Sequence, residues 1–478
     1  MPGRMRTMYR YVPACGPRER NGIHMTAQVK EMTEGKPSRL ILTFALSLTL
    51  GNVFQQLYTV VDTMVVGKYL GVDALAAVGA AEWMHWLFLG VIEGLAQGFA
   101  ILMAQEFGAK QLPKLRKVIG NAVVLSAGSS VLLLVIGQSL CRPVLRLLHT
   151  PDTILGDTLL YLRIIFLGIP VVLAYNLLAG ILRSLGDSKT PLHAMIVAAV
   201  TNIVLDLLFV MGFEWGIAGA AAATVIAQTI SSLYCYFHIR KIDFILLHKD
   251  DFAPDMQIVG KLLYLGLPMA FQNAIISVGG MIVQSVVNGY GVIFIAGFTA
   301  TNKLYGLLEI AAISYGYAMV TYVGQNLGAG KYSRIRSGMR AGIGIALATS
   351  VVIAAVMLLF GRNILSLFIS GTPEVVEETM GIAYFYLAVM SVCLPILYIL
   401  HVTRSAIQGT GNTVLPMVSG IVEFLMRTLT ALLLPLAVGE IGIFFAEIAA
   451  WAGADVVLVI SYFVTIRRLP GRDGAAET

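Results

Sequence analysis

Two aspartates stand where charge is expensive. Asp62 sits in N-V-F-Q-Q-L-Y-T-V-V-D-T-M-V-V-G-K (52–68), with no other charge within a helical turn on either side. Asp206 sits in T-N-I-V-L-D-L-L-F (201–209), and Asn202, four residues earlier, shares its helix face. Thr224 closes G-I-A-G-A-A-A-A-T (216–224), a run of small residues that lets helices approach closely and leaves backbone carbonyls accessible. Two carboxylates, an amide, a hydroxyl and carbonyls make an oxygen-rich pocket suited to a hard cation such as Na+, or to a shared proton. A charge at membrane depth normally faces a cavity or a partner and marks a pathway. The plainer alternative is that each aspartate only bonds a neighbouring helix.

Other polar residues interrupt apolar runs. Asn52, Gln55, Gln56, Tyr58 and Asn176 read first as interhelical hydrogen-bond partners, and secondly as the lining of a substrate cleft. Glu82 and Glu93 share a face, with His85 close by; Glu82 reads as solvated near a surface and Glu93 as deeper. Glu309, with Lys303 on the same segment, fits either a structural or a substrate role. Glu423 and Arg427 form an i,i+4 pair that neutralises itself and reads as structural; Glu447 and Asp455 follow in the last apolar segment. The four cysteines (Cys15, Cys141, Cys235, Cys393) are far apart and form no C-x-x-C pair, so neither a metal site nor a disulfide framework is indicated. No H-E-x-x-H, G-x-S-x-G, Walker A or dinucleotide fingerprint occurs. The chain therefore reads as no enzyme, with no cofactor beyond a coupling Na+ or H+.

The elements holding these residues follow from composition. The 478 residues are 57% hydrophobic and 13% charged, against roughly 25% charged in soluble proteins. Apolar runs long enough to span a bilayer recur, and predict an all-α integral membrane protein with twelve transmembrane helices: 39–66, 74–105, 117–140, 157–182, 191–213, 216–239, 258–288, 291–325, 340–361, 379–404, 413–436 and 440–466. The second and eighth are long enough to require tilt or a bend. The net charge of +6 does not imply nucleic acid, because Lys and Arg lie in the connections. Alternate connections and the two ends hold 26 of the 33 and the opposite set only four, which predicts both termini cytoplasmic in a cell membrane. A-Q-E-F-G-A (104–109) repeats as G-Q-N-L-G-A (324–329), and G-V-D-A-L-A-A (71–77) as G-V-I-F-I-A-G (291–297), both offset by 220; G-D-S-K-T-P (186–191) repeats as G-N-T-V-L-P (411–416), offset by 225. Six helices per half make this a parallel repeat, an arrangement used by transporters. The expected domains are an N-terminal extension (1–31) of disordered or mis-assigned residues, with translation from Met25 or Met32; a bundle of six helices (32–239); a cytoplasmic connection (240–257); a second bundle (258–468); and a tail (469–478).

These motifs resemble the multidrug and toxic-compound extrusion (MATE) family. The carriers are F-Q-Q-L-Y-T-V-V-D-T, the two Q-x-x-G-A loops, L-R-S-L-G-D-S-K-T-P, N-I-V-L-D and Q-G-T-G-N-T, and the match runs from Met32 to Arg468. It looks most like the bacterial branch whose cation site lies in the N-terminal half. The resemblance implies that Asp62, Asn202, Asp206 and Thr224 take the cation-site roles, that Ala220 offers a carbonyl, and that Asn176 lies nearby. It implies a monomeric antiporter in the lipid bilayer that exports amphipathic or cationic organic compounds against Na+ or H+. Two positions depart from the family. Ser47 stands where a first-helix proline is common, so proline-driven bending is not expected. Other branches place a glutamate in the seventh helix, where Ile276 stands here, and an aspartate in the tenth, where only Glu377 and Glu378 occur at its mouth. The rivals are a lipid-linked oligosaccharide flippase, for which twelve helices and few intramembrane bases are a poor fit, and a membrane-embedded lipid-modifying enzyme, which would need clustered acidic or His motifs at a membrane face.

Overall fold

The computed structural model describes residues 29–148, 150–369 and 372–470. Among these no strand occurs, and thirteen α-helices carry the chain. In the first half they are α1 (Pro37–Tyr69), α2 (Val72–Gly108), α3 (Leu112–Leu147), α4 (Asp152–Leu167), α5 (Ile169–Ser184), α6 (Lys189–Asp206) and α7 (Gly216–Ile239). In the second they are α8 (Met256–Val287), α9 (Val292–Gly328), α10 (Tyr332–Leu365), α11 (Pro373–Gly409), α12 (Val414–Val438) and α13 (Ala446–Thr465). Eleven segments are long and apolar enough to cross a membrane, and α4 with α5 makes a twelfth bent by 45°.

That bend corrects the expected continuous helix over 157–182. Pro170 lies in the first turn of α5. Its ring has no N–H to donate and collides with the carbonyl of the preceding turn, so the helix breaks at Gly168 and restarts. The fifth expected helix also changes character: directly after Asp206 the backbone runs as a π-helix over Leu207–Gly212. α2 and α9, at 37 residues each, run unbroken for about 55 Å, well beyond a hydrocarbon core of about 30 Å. α1 is uninterrupted through Ser47, whose hydroxyl donates to Thr43 O at 3.1 Å.

The two halves do not separate cleanly at the connection. Leu40, Ile41, Phe44, Ala45 and Leu48, on the first turns of α1, pack into the core of the second half. Val61, Val65 and Val66, further along, pack with Val210 and Ala220 of the first half. α8 reciprocates: Ile258, Leu262, Leu265, Met269 and Ala270 belong to the first-half core. Each of these helices starts in the opposite half.

On the Lys/Arg-rich face the repeated Q-x-x-G motifs close on each other. Gln105 Nε2 donates to Gly409 O at 3.0 Å, and Gln325 Nε2 donates to Ser184 O at 2.8 Å. The backbones approach so closely that a Cβ on Gly108 would collide with Gln325 O, and one on Gly328 with Gln105 O. Both glycines are required by this approach. A strap before α1 completes the seam. Lys30 N donates to Leu185 O at 3.3 Å in the first half. Met32 N donates to Gln325 Oε1 at 2.7 Å, and Asn326, Lys331 and Arg334 hold the carbonyls of Met32, Thr33 and Gly35 in the second. Val29, at 7% exposure, is already packed, so the expected boundary at residue 31 falls inside packed chain; residues 1–28 lie outside the described residues.

Candidate functional site

The structure brings Asp62, Asn202, Asp206, Ala220 and Thr224 together between α1, α6 and α7. Small residues of α7 make this possible: Gly219, Ala220, Ala221 and Ala223 are buried against α6 and its π-turn. Asp206 and Asn202 have 0% exposure and Asp62 8%. The two carboxyls lie within electrostatic range of each other. Asn202 Nδ2 reaches Thr224 Oγ1 at 3.5 Å, and that hydroxyl donates to Ala220 O at 3.2 Å. Tyr161 of α4 lies within electrostatic range of both aspartates.

The donors are then exhausted. Asp62 Oδ1, Asn202 Oδ1 and both oxygens of Asp206 are buried with no hydrogen-bond partner. Buried oxygens left this way each cost free energy. Such a donor set suits a hard cation or a proton. Among the described residues no three His, Cys, Asp or Glu side chains converge as for a transition metal.

Of the remaining predicted residues, Tyr58 stays within electrostatic range of both aspartates, and the others scatter. Asn52 Nδ2 crosses to Ser314 Oγ of the second half at 3.4 Å, an interhelical partner. Asn176 Nδ2 donates to Val172 O of its own helix at 2.9 Å. Tyr58 lines a cavity of about 10 Å³ with Gln55, Tyr175 and Gln228. Gln56 is half-buried on α1. Glu93 of α2 is half-buried and within electrostatic range of Arg183, whose guanidinium lies over the Tyr317 ring of the second half at 4.5 Å. Glu82 is exposed and accepts from Trp86 Nε1 at 3.4 Å. Glu309 faces His401 at 3.5 Å, far along the chain from the aspartate pair.

The Glu423–Arg427 pair exists at 3.1 Å, but as part of a larger chain of charges. Arg404 holds Glu423 at 2.5 Å, and Arg427 also holds Glu447 at 2.7 Å. One of the 26 Lys and Arg counted in the connections and ends, Arg404, lies instead inside α11 with 6% exposure. Carried across the repeat at its offset of 225, Asn202 of the first half corresponds to Arg427 of the second. Arg427 Nη1 also donates to the carbonyl of Ile276 at 3.2 Å. Where the first half leaves oxygens unpaired, the second half holds a guanidinium of its own. The 225 offset carries this correspondence, unrecognised above, whereas no residue pattern signals the π-turn.

The chain matches the MatE family model over residues 48–208 and 268–433, once in each half. It is 32% identical over 361 residues to a probable multidrug resistance protein, YoeA, of Bacillus subtilis (strain 168), covering 73% of this chain and 77% of that one. It is 30% identical over 397 residues to a second from the same organism, YpnP, covering 82% and 87%. A solved MOP superfamily transporter from Pyrococcus furiosus superposes with a TM-score of 0.86 at 23% identity, over 93% of this chain and 99% of that one, which shows the shared fold. The chain therefore belongs to the MatE family of multidrug and toxic-compound extrusion proteins, and is a multi-pass membrane transporter rather than an enzyme.

Proposed function

We propose that this protein is a secondary antiporter that exports amphipathic or cationic organic compounds in exchange for Na+ or H+, with its Lys/Arg-rich face in the cytoplasm. The observation that carries the reading is the set of four buried, unpartnered oxygens on Asp62, Asn202 and Asp206. A cation or proton entering from outside would satisfy them. In the second half the corresponding place is taken by Arg427, held by Glu423 and Glu447. Coupling is then a matter of populations. Cation binding favours one arrangement of the halves, substrate the other, and each shifts the balance only by its differential affinity. One charge entering down a 100 mV potential contributes about 2.3 kcal/mol. The multidrug names of the Bacillus relatives support the substrate class. The test is transport of a fluorescent organic cation in proteoliposomes with Na+ and pH gradients imposed separately. One of the two gradients should drive it; transport indifferent to both would overturn the reading.

A further inference from the structure

A cavity of about 330 Å³ opens on the Lys/Arg-rich face, away from the aspartate pair, where the end of α2 meets the starts of α3 and α8. Three ammonium groups line it: Lys114, Lys117 and Lys261. Its two carboxylates are already engaged. Glu106 takes Lys114 at 2.6 Å, and Asp255 Oδ1 accepts from the backbone N–H groups of Gln257 and Ile258. Lys117 and Lys261 have no carboxylate within ion-pair distance among the described residues. The other wall is apolar, formed by the buried side chains of Leu102, Val118 and Ile258.

Three ammonium groups against two carboxylates leave this concave surface net positive, which favours an anion. The apolar wall beside them favours an amphiphile over a hydrated ion. Level in the membrane points the same way. α3 has 36 residues, about 54 Å, so its first turns overrun a hydrocarbon core of about 30 Å and reach headgroup depth. The repeat sharpens the contrast: at the offset of 220, Lys114 and Glu106 correspond to Arg334 and Asn326. Those two second-half residues are occupied by the strap carbonyls of Met32 and Gly35, whereas in the first half the cavity remains.

We infer that this cavity binds the phosphate headgroup of an anionic phospholipid, with the phosphate between Lys117 and Lys261. Its walls are α2, α3 and the start of α8, which packs in the first-half core. A bound headgroup therefore clamps the start of α8 onto α2 and α3 and stabilises that packing.

The experiment compares purified protein with phosphatidylglycerol, with phosphatidylcholine and with inorganic phosphate. The readouts are thermal unfolding and the number of lipids retained in native mass spectrometry. Phosphatidylglycerol should raise Tm above the phosphatidylcholine value and be retained as one tight copy. Inorganic phosphate alone should do neither, and Lys117→Gln with Lys261→Gln should abolish both effects. An equal rise with inorganic phosphate overturns the lipid assignment. No lipid selectivity in the wild type, or selectivity that survives in the double variant, overturns the site. If the double variant does not fold, Lys261→Glu serves alone, and retention equal to wild type overturns the site.

Discussion

Replacing Glu423 by Gln keeps the volume and removes the charge between two buried guanidinium groups. Removing one partner from a buried ion pair costs about 3–5 kcal/mol, most of it the penalty of the charge left behind. The two arginines do not suffer equally. Arg427 retains Glu447 at 2.7 Å and the Ile276 carbonyl at 3.2 Å. Arg404 has no other ion-pair partner among the described residues, and its side chain is only 8% exposed. The loss belongs mainly to one guanidinium, so we expect the lower end of the range, about 3 kcal/mol. Glu447→Gln should cost less, because Arg427 keeps Glu423 and Glu447 is the more exposed partner at 15%. The assay is thermal unfolding in one detergent for wild type and both variants, with transport per folded molecule measured alongside. The expected order of Tm is wild type, then Glu447→Gln, then Glu423→Gln, with residual transport in both. A Glu423→Gln protein as stable as wild type and devoid of transport would show that the charge chain serves the transport cycle rather than the fold.

Three further outcomes follow. Asp62→Asn and Asp206→Asn should each abolish gradient-driven efflux from everted vesicles while the protein stays folded, and the double variant should be no worse than either single, since both act on one site; wild-type efflux with either aspartate neutralised removes that residue from the mechanism. Gly108→Ala should force the Q-x-x-G seam apart, because its methyl would collide with Gln325 O, and spin labels at Lys110 and Tyr332 should report a longer separation than in wild type; an unchanged distance distribution would refute the seam. Ser47→Pro removes an N–H inside α1 and crowds the carbonyl of Thr43, at about 3 kcal/mol or with a kink; an unchanged Tm and cation dependence would show that α1 is already bent there.

The number of spans was legible because bilayer thickness imposes apolar length. The aspartate site was legible from Asp62, Asn202 and Asp206, since unpaired charge in an apolar run has few explanations. Its boundaries were less so. The break at Gly168 depends on where Pro170 falls relative to the helix start, and the π-turn after Asp206 depends on packing of Phe209 against α7, which no single stretch encodes. Arg404 was misplaced because position in the sequence does not reveal depth when α11 runs 37 residues. Arg427 was seen as the partner of Glu423, the neighbour one turn away, whereas Glu447 and the Ile276 carbonyl come from helices that only the fold brings near.

α1 begins in the core of one half and, towards its end, carries Asp62 into the candidate site of the other. Such a helix cannot travel as a passenger of either body. When the halves swing, its two ends are carried in different directions, and the strain must appear between Leu48 and Val61. That interval holds Gly51 and Asn52, whose amide reaches Ser314 across the divide. On the antiport reading proposed above, a cation or proton at Asp62 would set the tension on a strut anchored in the opposite body. It would act as on a tether rather than a gate at its own position, and the response would be felt at the far end, beneath Met32.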